Sequence, residues 1–210
     1  MQVTRLHFRA AFRRRQHGGA AVEFALVVLT FLMLVFGILE LARAMYICNT
    51  LQEVTRRAAA MAANTNFSDG AALQRVREYG VLRNSPGFLA FADPVTDAHV
   101  RIDYMAIVAG ETGLAMEYIP TGSRPANPAE NRLTCMTNPN DARCIRLVRV
   151  RICMPGEGDK CDSVPYRTIV SLIPIPFPLP QSITIVNAET LGMLPGLPPN
   201  PPNPPNPCGC

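Results

Sequence analysis

Histidine is scarce in this chain of 210 residues. It has three, and two of them, His7 and His17, fall within the first eighteen positions. Only His99 is left to serve as a base or metal ligand in the body of the protein, and nothing places it beside a nucleophile. A glycine-rich phosphate loop, an HExxH helix and a C-x2-C knuckle are all missing from the sequence. These absences argue against an enzyme, a resident cofactor or metal, and a small-molecule substrate. Positive charge is also thin where nucleic acid would need it. The formal net charge is +4, but Arg5, Arg9, Arg13, Arg14 and Arg15 all sit in the leader. They leave 15 of the 20 basic residues to face 16 acidic ones, a net of −1 for the rest. The basic balance describes the leader, and a nucleic-acid partner is not expected.

Beyond the leader the chain turns apolar. From Phe24 to Leu39 the run is broken only by Thr30 and Gly37, and with its flanks it reaches the twenty or so residues that a ~30 Å hydrocarbon core requires. The five leader arginines predict an N-terminus in the cytoplasm, with everything after about Leu41 on the outer side of the membrane. A signal peptide cut after Ala42-Arg43-Ala44 is the competing reading. The stretch is longer than a signal h-region of about 7 to 15 residues, and Glu40 and Arg43 crowd the cleavage site.

One residue in the span demands a reason. An acidic side chain costs roughly 2.5 to 3.5 kcal/mol at the middle of a spanning helix and less near its end, and Glu23 lies near the start. The order Gly18-Gly19, "AAVEFAL" from Ala20 to Leu26, Phe36-Gly37-Ile38, Glu40, Arg43 and Arg56 to Ala60 resembles the opening of type IV pilin precursors. It looks like the start of a TadE-type pseudopilin of the tight-adherence (Flp) pilus system. The resemblance covers about 45 residues, and "PFPLPQSITIVNAET" is similar to that family's C-terminal end. It implies cleavage by a prepilin peptidase between Gly18 and Gly19, which makes Glu23 the fifth residue of the mature chain, followed by the aromatic Phe24. It also implies that the Glu23 carboxylate pairs with the freed amine of a neighbouring subunit. The implied partners are the inner membrane, other pilin or pseudopilin subunits and the assembly platform. The chain departs from the family in its doubled glycine after His17, so a cut after Gly19 is the alternative. Another reading of Glu23 is that it snorkels into the headgroups. A different function class is also open, a membrane-anchored binding or adhesion module that keeps its leader and never enters a filament.

The remaining sequence predicts an α+β fold, with a long N-terminal membrane-spanning helix packed on a small antiparallel sheet in a pilin-like layout. The expected segments are a basic leader (1–18), a transmembrane and extended helix (19–63), an extracytoplasmic α+β domain (64–195) and a disordered, Pro-rich tail (196–210). Leu41, Met45, Cys48, Leu51, Val54, Ala58 and Met61 recur at helical spacing, with Arg43 off the stripe. A helix from Ala20 to Ala63 would be on the order of 65 Å long. Ser68-Asp69-Gly70 caps a second helix from Ala71 to about Leu82. Strands are expected from Val100, Cys144, Tyr166 and Ser182, with Arg149 and Arg151 on a solvated face.

Seven cysteines suit an oxidising compartment. Cys135 with Cys144 and Cys153 with Cys161 each bracket a turn and form the favoured pairing, with a four-thiolate zinc site as the rival. The tail "PPNPPNPPNP" repeats at the period of polyproline II, and Cys208 and Cys210 at its end are candidate reactive thiols.

Overall fold

The computed structural model describes residues 17–110, 113–156, 158–169 and 177–193. The Pro-rich tail, Cys208 and Cys210, and the leader before His17 lie outside these residues. The chain divides into two units, Met1–Leu41 and Ala42–Cys210. Helix α1 (His17–Ala62) runs through the boundary, and each unit is described by itself.

In the second unit, α1 buries Ile47, Leu51, Val54, Ala58 and Ala62, spaced four, three, four and four residues apart, against a sheet. The sheet is antiparallel, in the order β2-β1-β3-β4, with β1 at Val100–Gly110, β2 at Gly113–Tyr118, β3 at Leu147–Ile152 and β4 at Ile183–Asn187. Val100, Ile102 and Tyr104 of β1 stand opposite Ile152, Val150 and Val148 of β3. All six are buried in the same core as the α1 residues. Thr55 is the buried polar residue of this helix face. Its hydroxyl bonds Ser182 Oγ at 3.0 Å and Thr184 Oγ1 at 2.9 Å, which ties the helix to the start of β4. The α+β class and the antiparallel sheet are therefore as expected.

Helix α2 (Gly70–Gly80) starts where Asp69 accepts from the amides of Ala71 and Ala72 at 2.9 and 3.0 Å. It ends against α1, where a Cβ on Gly80 would lie 3.1 Å from that of Ala58. Helix α3 (Pro128–Thr137) was not anticipated, although its signal is in the sequence. Asn127 caps the Glu130 amide at 2.9 Å, Glu130 reaches back to the Ala126 amide at 2.8 Å, and Pro128 opens the first turn.

Three expectations need correction. No strand runs from Tyr166 among the described residues. Residues 166–169 belong to no ladder, the nearby bridge joins Pro165 to Pro178, and 170–173 lie outside the described residues. Two prolines at that bridge offer no N–H to extend a ladder. The α1 stripe holds at Leu51, Val54 and Ala58 and fails at its two ends. Leu41, Met45 and Met61 are exposed, whereas Arg43 joins Ile47, Leu51, Val54 and Ala58 on the packed side. Arg149 and Arg151 are covered, with side-chain exposures of 14% and 8%. Both reach Asp103, which stands directly opposite Arg149 on β1. The loop from Cys153 to Cys161 carries Asp159, which pairs with both arginines, over the same face.

The two expected disulfides are present. Cys135–Cys144 and Cys153–Cys161 have Cα separations of 5.0 and 5.1 Å. Their four sulfurs are thereby bonded in pairs, so the zinc alternative has no thiolates to use. Cys48, expected to be buried, is half-buried on α1 and unbonded.

Candidate functional site

The first unit consists of the apolar part of α1. Val22, Phe24, Leu26, Val27, Phe31 and Leu34 are each about 60–70% exposed. The helix has a mean hydropathy of 2.7 in its most apolar window, and by length and composition it is the one candidate membrane span among the described residues. Thr30 satisfies its own hydroxyl by donating to the Leu26 carbonyl at 2.9 Å. Such a surface is stable only when lipid or other apolar helices cover it.

Gly18 and Gly19 both fall in the first turns of α1. A Cβ on Gly19 would meet nothing within 4 Å, so packing inside this chain does not require a glycine there. Glu23 and Phe24 come one turn later and are both exposed. Glu23 makes no ion pair or hydrogen bond with any described residue. A carboxylate in that position can be balanced by headgroup water at the membrane surface or by a cation from another chain. The chain itself supplies none among the described residues.

Where α1 enters the folded unit, Arg43 acts as an anchor. Its guanidinium donates to the carbonyls of Phe91 at 2.9 Å, Arg167 at 2.5 Å and Asp93 at 3.4 Å, and to the Tyr166 hydroxyl at 3.4 Å. Its charge lies 5.3 Å from the centre of the Tyr166 ring. The planar fork reaches two separate loops from one helix position, a geometry that a lysine ammonium cannot reproduce. Sequence periodicity missed this residue because a charged side chain was taken to face away from the core.

The lone candidate base, His99, is structural in its contacts. Thr96 donates its amide to Nδ1 at 3.1 Å, and the Thr96 hydroxyl lies 2.9 Å from the same atom. Burial of the ring lowers its pKa, with the charge of Asp97 working against the shift. For Asp97, burial would raise the pKa. The bonds from the Gly87 amide at 2.8 Å and from Gln74 at 2.8 Å outweigh it, and the net shift is downward. Together these bonds pin the loop between α2 and β1. Among the described residues no three His, Cys, Asp or Glu side chains are grouped as a metal would need.

No curated protein and no solved structure matches the chain. The match that does occur falls on the first unit and the start of the second. Residues 18–60, from the paired glycines through the Arg43 anchor, match the family model described as TadE-like protein, and over this helix the chain is consistent with a TadE-like protein of the tight-adherence system.

Proposed function

We propose that the chain is a minor pilin-type subunit that takes part in building tight-adherence pili. It is held in the bacterial inner membrane by α1, with its N-terminus in the cytoplasm and its folded unit on the outer side. A prepilin peptidase removes residues 1–18, and Glu23 then pairs with the new N-terminal amine of a neighbouring pilin or pseudopilin at the assembly platform. The protein works by assembly and not by catalysis of its own.

The observation that carries this reading is the placement of Glu23. It is an exposed carboxylate on an apolar TadE-like helix, five residues beyond Gly18, with no partner among the described residues. Assembly supplies the missing cation, and the leader arginines support the orientation.

The test is the mass of the mature N-terminus in protein isolated from membranes, together with two variants. The wild-type chain is expected to begin at Gly19, and replacing Gly18 with a bulky residue should leave the leader attached. Glu23→Ala should insert normally but recover less partner pilin on co-purification. A wild-type chain that still begins at Met1 supports the anchored adhesion module instead. Unchanged co-purification of Glu23→Ala means that the carboxylate only snorkels.

A further inference from the structure

Among the described residues, strand β2 forms one open edge of the sheet. Its ladder with β1 closes at Gly110↔Gly113 and runs on to the Ile119 amide, which donates to Tyr104 O at 2.9 Å. In an antiparallel pair, successive residues turn their main-chain groups alternately toward and away from the neighbour. Gly113, Ala115, Glu117 and Ile119 therefore bond inward, and Leu114, Met116 and Tyr118 present their N–H and C=O groups to the open side.

The side chains of those three residues share one face of the sheet, where Leu114 is 69% and Met116 57% exposed. Natural edges are normally guarded by lysine, proline or a bulge. Between Gly113 and Tyr118 there is no proline, and Glu117 is the only charge. Glu117 lies on the opposite face from the apolar row.

The edge is complementary to itself. If a second β2 lies antiparallel with Met116 opposite Met116, then Leu114 falls opposite Tyr118, and each of the three pairs exchanges two main-chain hydrogen bonds. On the other face Ala115 falls opposite Glu117, so the two carboxylates never stand directly across from each other. The other edge, β4, also carries exposed Ile183 and Ile185. It is shorter, and Pro178 and Pro180 stand just before it.

We propose that the open edge of β2 is a homotypic docking strand. Two copies of the chain pair β2 to β2 about a two-fold axis at Met116 and form one eight-stranded sheet. The inference goes beyond the pilin reading and does not depend on leader cleavage or on Glu23.

The test is cysteine cross-linking of the full-length chain in its membrane, with Cys48, Cys208 and Cys210 changed to serine and a mild oxidant added. Met116→Cys is expected to give a disulfide-linked dimer, because Cα atoms of a hydrogen-bonded antiparallel pair lie about 5.5 Å apart, within disulfide reach. Leu114→Cys alone should remain monomeric, since its own copy lies four residues away along the strand, about 13 Å. The Leu114→Cys, Tyr118→Cys double variant should dimerise again. Met116→Pro removes an outward N–H and not a bond to β1, so it should abolish association, measured by light scattering in detergent, while both native disulfides stay intact. Should that variant misfold, the cysteine series decides alone. A monomeric Met116→Cys, equal cross-linking by Leu114→Cys, or a dimer joined through Ile185→Cys instead would overturn the proposal. None of these outcomes alters the N-terminal mass on which the pilin reading rests.

Discussion

Replacing Asp103 with Asn tests whether the buried charge cluster on the sheet holds the folded unit together. The Asp103 side chain is 3% exposed, and its Oδ2 atom receives Arg151 at 2.6 Å through one terminal nitrogen and at 2.8 Å through Nε. Arg149 approaches the same oxygen at 3.1 and 3.2 Å. Strand register adds a further charge, because Arg101 stands directly opposite Arg151. Arg101 spends its donors on the carbonyls of Gly156 and Lys160, which leaves its charge without a carboxylate partner among the described residues. Neutralising Asp103 thus leaves two covered guanidinium groups sharing Asp159, whose side chain is 57% exposed. Removing one partner from a buried ion pair costs about 3 to 5 kcal/mol. Asp159 and solvent offset part of that, so about 3 kcal/mol is expected. In a domain of this size that corresponds to a Tm drop of about 6 to 12 °C.

The assay is thermal unfolding of the full chain in detergent, followed by circular dichroism, with Asp159→Asn as the paired control. Exposure limits the control to a loss of about 1 kcal/mol or less, so its Tm should move by only a few degrees. A triple change of Asp103, Arg149 and Arg151 to apolar residues should recover most of the Asp103→Asn loss, because the three covered charges are then removed together. An Asp103→Asn protein that unfolds within a degree of wild type, or one that falls no further than Asp159→Asn, would refute the reasoning.

Arg43→Lys should cost nearly as much stability as Arg43→Ala, about 1 to 3 kcal/mol, since a point charge cannot bond the Phe91 and Arg167 carbonyls together; hydrogen exchange would show early opening of the 91–93 and 166–167 loops. Burial depresses the pKa of His99, so the neutral ring favours the fold and the unfolded chain binds the extra proton. Stability is fully present above about pH 6.5 and is lost as pH falls through the lower folded value, and a Tm-versus-pH scan of His99→Gln should be flatter across that window. Cys153→Ser with Cys161→Ser should cost about 2 to 3 kcal/mol by freeing the loop that presents Asp159, read by thermal unfolding of the oxidised and substituted proteins.

Much of this architecture was legible because its signals are local. The apolar run, the Asp69 cap, the alternation in the segments from Val100 and from Cys144 and the two turn-spanning cysteine pairs each depend on residues close in sequence. The features that escaped depend on partners far along the chain. The first turns of the packed face of α1 were misplaced because Arg43 was counted as polar, although carbonyls from residues 91, 93 and 167 let it lie against the domain. The strand expected from Tyr166 has the right composition. Its neighbours in space are prolines and an aromatic stack with Phe177, at 4.4 Å between ring centres, and not an edge with free amides. Helix α3 and strand β2 were legible in principle, from the Asn127-Pro128-Glu130 start and from the two-residue spacing between Gly110 and Gly113.

Glu23 and Asp103 show the same physics read with opposite success. Each is a carboxylate in apolar surroundings that needs water or a cation to balance it. Glu23 stands out in the sequence because its surroundings are apolar for a whole helix. Asp103 passes unnoticed because one polar residue in an alternating strand looks like a solvent face. Its partners, Arg149 and Arg151, come from 46 and 48 residues further along the same chain. For Glu23 no such partner occurs among the described residues. On the assembly reading proposed above, the cation comes from another molecule and the pairing forms on assembly. Asp103→Asn should therefore lower the stability of the isolated chain, whereas Glu23→Ala should leave that stability unchanged and weaken only its association with other subunits.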